Sequence, residues 1–166
     1  MGCDENRRCR ALSGALSQSL ETLAFVEILP LGENAPPEAE MIDIYPRNKV
    51  YWATIPIVKP NTGSLTVILS EELCSLLTEQ IYGFIEDEIT MEMLQDAVAE
   101  LANVVSGRFL DAYLEGAHTF ELDVPIKGVS DSEDEIALGK DLLEKLDYAV
   151  EGHKLTVILT GEGFEK

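Results

Sequence analysis

A repeated pentapeptide constrains this chain more than any other feature. Leu65-Thr66-Val67-Ile68-Leu69 recurs as Leu155-Thr156-Val157-Ile158-Leu159. Ile55-Pro56-Ile57 is echoed by Val124-Pro125-Ile126, and Leu23-Ala24-Phe25-Val26 by Leu101-Ala102-Asn103-Val104. Three echoes in one order predict an internal duplication, with half-repeats at about 11–83 and 90–162 and insertions between the matched pieces. A doubled unit of apolar strands and amphipathic helices predicts a pseudo-two-fold α/β (α+β) domain, a mostly antiparallel sheet with long helices packed on it. The 166 residues suit a single domain over 1–166.

Local signals place the elements. Leu12, Leu16, Leu20 and Leu23 recur at helical spacing, so Leu12 to Val26 reads as a helix. Pro30, Gly32 and Pro36-Pro37 break it, and an acidic loop runs to Pro46, with a strand expected at Met41 to Tyr45. Val50 to Val58 reads as a strand, and Pro56 points to an edge or a bulge. Asn61-Thr62-Gly63 turns the chain into a second arm, Ser64 to Leu69. Ser70 is placed to cap a helix that Gly83 ends, and Thr90 to cap another from Met91 to about Leu114. His118 to Val129 reads as strand, Ser130 to Glu135 as an acidic solvated loop, and Asp141 to Leu146 as a short helix. Tyr148 to Val150 and Lys154 to Thr160 form a hairpin around Glu151-Gly152.

Charge narrows the partners. A net charge of −19 repels nucleic-acid phosphates and anionic membranes, so neither is an expected partner. No apolar run reaches the ~18 residues a membrane span requires. Residues 1–10 are polar, carry no secretory apolar segment, and read as a frayed terminus. Of the three cysteines, Cys74 lies on an apolar helical stripe and reads as core. Cys3 and Cys9 read as free thiols, which fits a reducing compartment and a cytoplasmic location. His118 and His153 have no partner at triad or ligand spacing, and the acidic loop lacks the full calcium-loop pattern, so no metal or cofactor of its own is expected.

The helix from Met91 carries the chemistry. Leu94, Ala97, Val98, Leu101, Val104 and Val105 form an apolar stripe that packs on the sheet. Asp96, Glu100, Asn103 and Gly107 form a second row away from it. Glu100 and Asn103 are neighbours, about 60° apart around the axis and one turn along. Asn and Gly are poor helix formers in mid-helix, and Gly107 would let another backbone approach closely. On spacing alone the row is also what an ordinary solvated helix face presents.

The run Asp96-Ala97-Val98-Ala99-Glu100-Leu101-Ala102-Asn103-Val104-Val105-Ser106-Gly107 resembles the signature helix of the CheX/CheC chemotaxis phosphatases. In that family a Glu and an Asn stand three residues apart within such a helix. Pro125 to Gly128 after it also fits, as does the doubled architecture shared with the middle domain of the flagellar switch protein FliM; Ala99 departs from the Gly often found there. The resemblance implies a CheC-like fold and a phosphatase for a phosphorylated CheY-like response regulator. Glu100 would pair with a lysine of the regulator, Asn103 would orient the attacking water, and Asp96 and Gly107 would line the partner contact. Mg2+ would belong to the regulator. Aligning the first helix through Leu23-Ala24 sets Thr22 opposite Glu100 and Phe25 opposite Asn103, which implies one active helix, the CheX type, whose members are often homodimers. Two alternatives stay open: a non-catalytic module that binds a regulator or a flagellar switch component, and a phosphatase of a regulator outside chemotaxis.

Overall fold

The computed structural model describes residues 6–24, 28–30, 49–83, 88–116, 119–133, 136, 141–162 and 164. Residues 1–5 of the expected frayed terminus lie outside the described residues, as do Phe25, Val26, the expected strand at Met41 to Tyr45, His118, and Asp134 and Glu135. In chain order come α1 (Arg7–Ala24), β1 (Ile28–Pro30), β2 (Val50–Lys59), β3 (Thr62–Ser70), α2 (Glu71–Tyr82), α3 (Met91–Tyr113), β4 (Glu121–Leu122), β5 (Ile126–Ser130), β6 (Leu142–Val150) and β7 (His153–Glu162). The strands form one seven-stranded antiparallel sheet in the order β1-β6-β7-β3-β2-β4, with β5 continuing β4 along β2.

The duplication is written into the centre of this sheet. β3 and β7 are neighbours, and their identical pentapeptides pair in reverse: Leu65 with Leu159, Val67 with Val157, Leu69 with Leu155. A pseudo-two-fold axis therefore passes between Val67 and Val157. Outward from it, β2 beside β3 matches β6 beside β7. The first strand of each half crosses over: β1 pairs with β6, and β4 and β5 pair with β2. The two halves are thus interlocked rather than side by side. Among the described residues, β3 is followed by α2, whereas no helix follows β7. The Ile55-Pro56-Ile57 echo does not survive: it lies on β2, whereas Val124-Pro125-Ile126 lies on the edge at β5. Shared strand-forming residue types explain that likeness.

Alternation along the strands decides where the helices sit. Tyr51, Ala53, Ile55 and Ile57 of β2, with Leu65, Val67 and Leu69 of β3, join Leu12, Leu16, Val98, Leu101, Val105 and Phe109 of the helices in one core. On the far face Thr66, Ile68, Thr156, Ile158 and Thr160 are also buried within the chain. Ile136, next to the acidic loop, packs there with Val50, Ile68, Ile158 and Trp52. Glu133 pairs with Lys145 at 2.8 Å, so this loop is anchored on the sheet instead of solvated throughout. Among the described residues no helix is long and apolar enough to cross a membrane.

Several expectations require correction. Residues 6–10 are not frayed. Asn6 caps α1, its Oδ1 accepting from the Arg8 N–H at 2.9 Å. Arg8 is buried; its Nε and Nη2 donate to Glu144 at 3.1 and 2.9 Å and its Nη1 to the Phe164 carbonyl at 2.9 Å. Cys9 is buried and disulfide-bonded rather than free, which removes the thiol argument for a reducing compartment. Asp141 to Leu146 is not helix: Asp141 takes a positive φ of 62° and Leu142 starts β6, because pairing with β7 outweighs local helix propensity. β2 is not an edge strand, but its register against β4 shifts between Ile57 and Lys59, beside Pro56, in line with the bulge alternative. Asp123 N–H donates to the Pro56 carbonyl at 3.0 Å, so the proline nitrogen also faces the break between β4 and β5, where no ladder bond is lost. The helix caps and the last hairpin hold. Ser70 caps α2, Gly83 ends it at φ 72°, Thr90 caps α3, and Glu151 and Gly152 turn the β6–β7 hairpin with φ of 52° and 80°.

Candidate functional site

α3 spans Met91–Tyr113, and Thr90 Oγ1 accepts the Met93 N–H at 3.2 Å to start it. Leu94, Ala97, Val98, Leu101, Ala102, Val105 and Phe109 are buried, which fixes the helix rotation. Val104, expected in that stripe, is only half-buried. The rotation leaves Glu100 and Asn103 exposed, with Asp96 and Gly107 half-buried in the same row. All four sequence-predicted residues are therefore brought together on one helix face. An ideal helix separates Glu100 and Asn103 by only ~4.5 Å along the axis.

The four differ in what holds them. Asp96 accepts a hydrogen bond from Lys127 Nζ of β5 and forms an ion pair with it. Neither Glu100 nor Asn103 makes a hydrogen bond or ion pair among the described residues. A methyl group built on Gly107 would meet nothing within 4 Å. Beside Gly107, Arg108 Nη1 reaches Gln18 Oε1 of α1 at 3.4 Å. Tyr82, at the end of α2, is 43% exposed and closes the other flank. Burial raises its hydroxyl above the ordinary 10.0; the negative charges of Asp96 and Glu100 raise it further, and Lys127 opposes them. Sequence reasoning missed Lys127 and Tyr82, because their relation to the row exists only once β5 and α2 flank α3.

This surface is the flank of a helix, not a cleft. Glu100 offers an acceptor for a cation, and Asn103 an amide that both donates and accepts. A small molecule held on such a face would stay in water, whereas ligand sites enclose most of their ligand. Among the described residues, no group of three or more His, Cys, Asp or Glu could hold a metal ion.

The pseudo-two-fold provides an internal comparison. The displacement that carries Leu65 onto Leu155 carries the buried α1 residues Arg8, Cys9, Leu12, Ala15, Leu16, Ser19 and Leu20 onto Val98, Ala99, Ala102, Val105, Ser106, Phe109 and Leu110, all buried. Asn6, Arg10, Ser13 and Ser17 then stand where Asp96, Glu100, Asn103 and Gly107 stand. This correspondence differs from the alignment through Leu23-Ala24, which sets Thr22 and Phe25 opposite the pair; Phe25 lies outside the described residues. Ser13 is committed to the Tyr148 hydroxyl at 2.6 Å, and Arg10 carries the opposite charge to Glu100. Among the described residues, the Glu/Asn pair stands only on α3.

Comparison with known proteins agrees with this fold. The family profile described as chemotaxis phosphatase CheX matches residues 51–139, more than half of the chain, including all of α3. The chain is similar to the solved structure of CheX from Vibrio vulnificus, with a TM-score of 0.73 and 18% identity over 93% of this chain and 96% of that one. It is similar to a CheX from Desulfovibrio desulfuricans, with a TM-score of 0.72 and 20% identity over 93% and 99%. It is also similar to a chain of the CheX–CheY–BeF3–Mg2+ complex from Borrelia burgdorferi, with a TM-score of 0.62 and 16% identity over 91% and 95%. No curated protein sequence matches significantly.

Proposed function

The chain belongs to the CheX family of chemotaxis phosphatases, and from that premise we propose that it hydrolyses the aspartyl phosphate of a phosphorylated CheY-like response regulator. The observation that carries this reading is the state of Glu100 and Asn103: adjacent, exposed and, among the described residues, without a hydrogen-bond or ion-pair partner. Two polar side chains so placed complete nothing in their own chain; they suit a site assembled across an interface. The similar Borrelia burgdorferi complex holds CheX with CheY, BeF3 and Mg2+, which supports a regulator as the partner.

The division of labour follows from the side chains. Glu100 accepts the ammonium of a lysine in the regulator's site and so fixes orientation. Asn103 enters beside the acyl phosphate. Its amide holds a water in line with the phosphorus without presenting a negative charge to the phosphoryl oxygens. An acyl phosphate is already reactive, so positioning the water supplies the acceleration. The regulator holds the Mg2+; on this chain no residue is assigned to it. The whole row lies on one chain, so the mechanism is complete in a monomer. The reading places the protein in the cytoplasm, where such regulators act.

The test is loss of phosphate from a phosphorylated chemotaxis regulator. Wild type accelerates it, and Asn103→Ala lowers kcat by about 10²-fold or more with binding retained. Glu100→Ala acts chiefly on KM, by roughly 10-fold or more, as the loss of one partner of an interfacial charge pair does. Tight binding to a regulator with no acceleration by wild type would instead make the chain a binding module.

A further inference from the structure

We propose that Lys127 sets the register in which the regulator docks, by neutralising the carboxylate that competes with Glu100. This rests on the reading that Glu100 receives a cation from the partner. Asp96 and Glu100 stand at i and i+4, so two carboxylates line one helix face about 6 Å apart along the axis. Both are accessible: the Asp96 side chain is 45% exposed, and Glu100 is exposed. To an incoming ammonium they are nearly equivalent ligands. Only the Glu100 register is productive, because docking on Asp96 slides the partner back one turn and withdraws Asn103 from the phosphoryl group.

The structure resolves this ambiguity by charge. β5 runs beside α3 and presents Lys127 to Asp96, while Glu100 has no ion pair among the described residues. The row then offers one uncompensated carboxylate next to Asn103. Glu92, also exposed, lies a further turn away, about 12 Å from Glu100 and close to the helix start. The Lys127 side chain is 38% exposed, so its pair with Asp96 contributes little to stability, and a structural role does not account for it.

Misregistered binding has a kinetic signature. A partner held in the wrong register is bound but not turned over, so kcat and KM fall together while kcat/KM is nearly unchanged. Lys127→Met is expected to lower both by at least about twofold, the value for two registers of equal affinity. Its thermal midpoint is expected to move by no more than about 2–4 °C. Removing the freed competitor is expected to restore kcat, so the double variant Lys127→Met with Asp96→Asn recovers turnover. The measurement is steady-state dephosphorylation of a regulator that wild type turns over, with affinity for its beryllofluoride-activated form read in parallel. A single variant with unchanged kcat, a rise in KM alone, or a double variant no better than the single overturns the proposal while the phosphatase reading stands. A wild type inactive on every regulator removes both.

Discussion

Gly107 offers a perturbation whose effects on stability and function have opposite signs. It lies inside α3, where Gly is less favourable than Ala by about 0.8–1.0 kcal/mol. Substitutions at buried glycines are usually offset by a clash, but here the added methyl meets nothing within 4 Å. Nor is a positive φ recorded at Gly107, so Ala fits the backbone. Gly107→Ala is therefore expected to stabilise the free protein by nearly 1 kcal/mol, a rise of about 2–4 °C in Tm for a domain of this size.

The cost appears only in the complex. Gly107 is one turn beyond Asn103, ~6 Å along the same row. If a regulator's backbone packs there, a methyl group pushes the partner away, and a displacement near 1 Å at the reacting centre costs about 10²-fold. Gly107→Leu is expected to abolish measurable turnover and leave the fold intact. The assays are thermal unfolding by circular dichroism and kcat/KM for regulator dephosphorylation, on the same preparations. Full activity in both variants would remove Gly107 from the interface. A lowered Tm for Gly107→Ala would refute the argument that its surroundings are open.

Other predictions concern the frame that holds α3 in place. A Cβ on Gly63 would sit 2.1 Å from the Thr160 carbonyl in the central β3–β7 pair, so Gly63→Ala is expected to lower stability by more than about 2 kcal/mol in urea unfolding. Arg8→Ala strands the largely buried Glu144 and is expected to cost about 3 kcal/mol, or roughly 6–12 °C in Tm, with activity lost only on unfolding. Burial pushes the Cys74 thiol and the Tyr148 hydroxyl above their ordinary 9.0 and 10.0, so the folded state keeps protons that the unfolded chain releases. Stability is then level below about pH 9 and falls as pH rises past these values, which urea midpoints across that range would show; a midpoint that rose with pH would contradict the assignment.

What could be read from the residues was whatever short-range chemistry decides. Ser70, Thr90 and Gly83 mark their helix ends because a cap forms within three or four residues. The apolar stripe of α3 oriented Glu100 and Asn103 because burial sets the rotation of a helix. The failures share a different cause. Asp141 to Leu146 carries helix-forming residues, yet its conformation is set by β7, which pairs with it from beyond the turn. Arg8 looked like part of a polar terminus because its partners, Glu144 and Phe164, lie at the other end of the chain. Lys127 belongs to the site through an ion pair across 31 positions, and neither residue alone announces it. The chemical meaning of Glu100 and Asn103 was not legible from spacing at all, since a solvated helix face presents the same row; it came from family resemblance.

The duplicated fold also bears on why the proposed site lies on one helix. Both halves place a helix at the same position over the sheet, so the scaffold alone would present two equivalent faces. The core side is kept on both: at the displacement that carries Leu65 onto Leu155, buried residues of α1 fall on buried residues of α3. The outer side is not. Arg10 stands where Glu100 stands, and Ser13 turns to the Tyr148 hydroxyl where Asn103 turns outward. The edge strands differ as well: β5 supplies Lys127 to α3. Packing therefore constrains both helices alike, while the exposed row, free of any packing requirement, differs between them, and the proposed engagement of a partner's phosphoryl group falls to the α3 half alone.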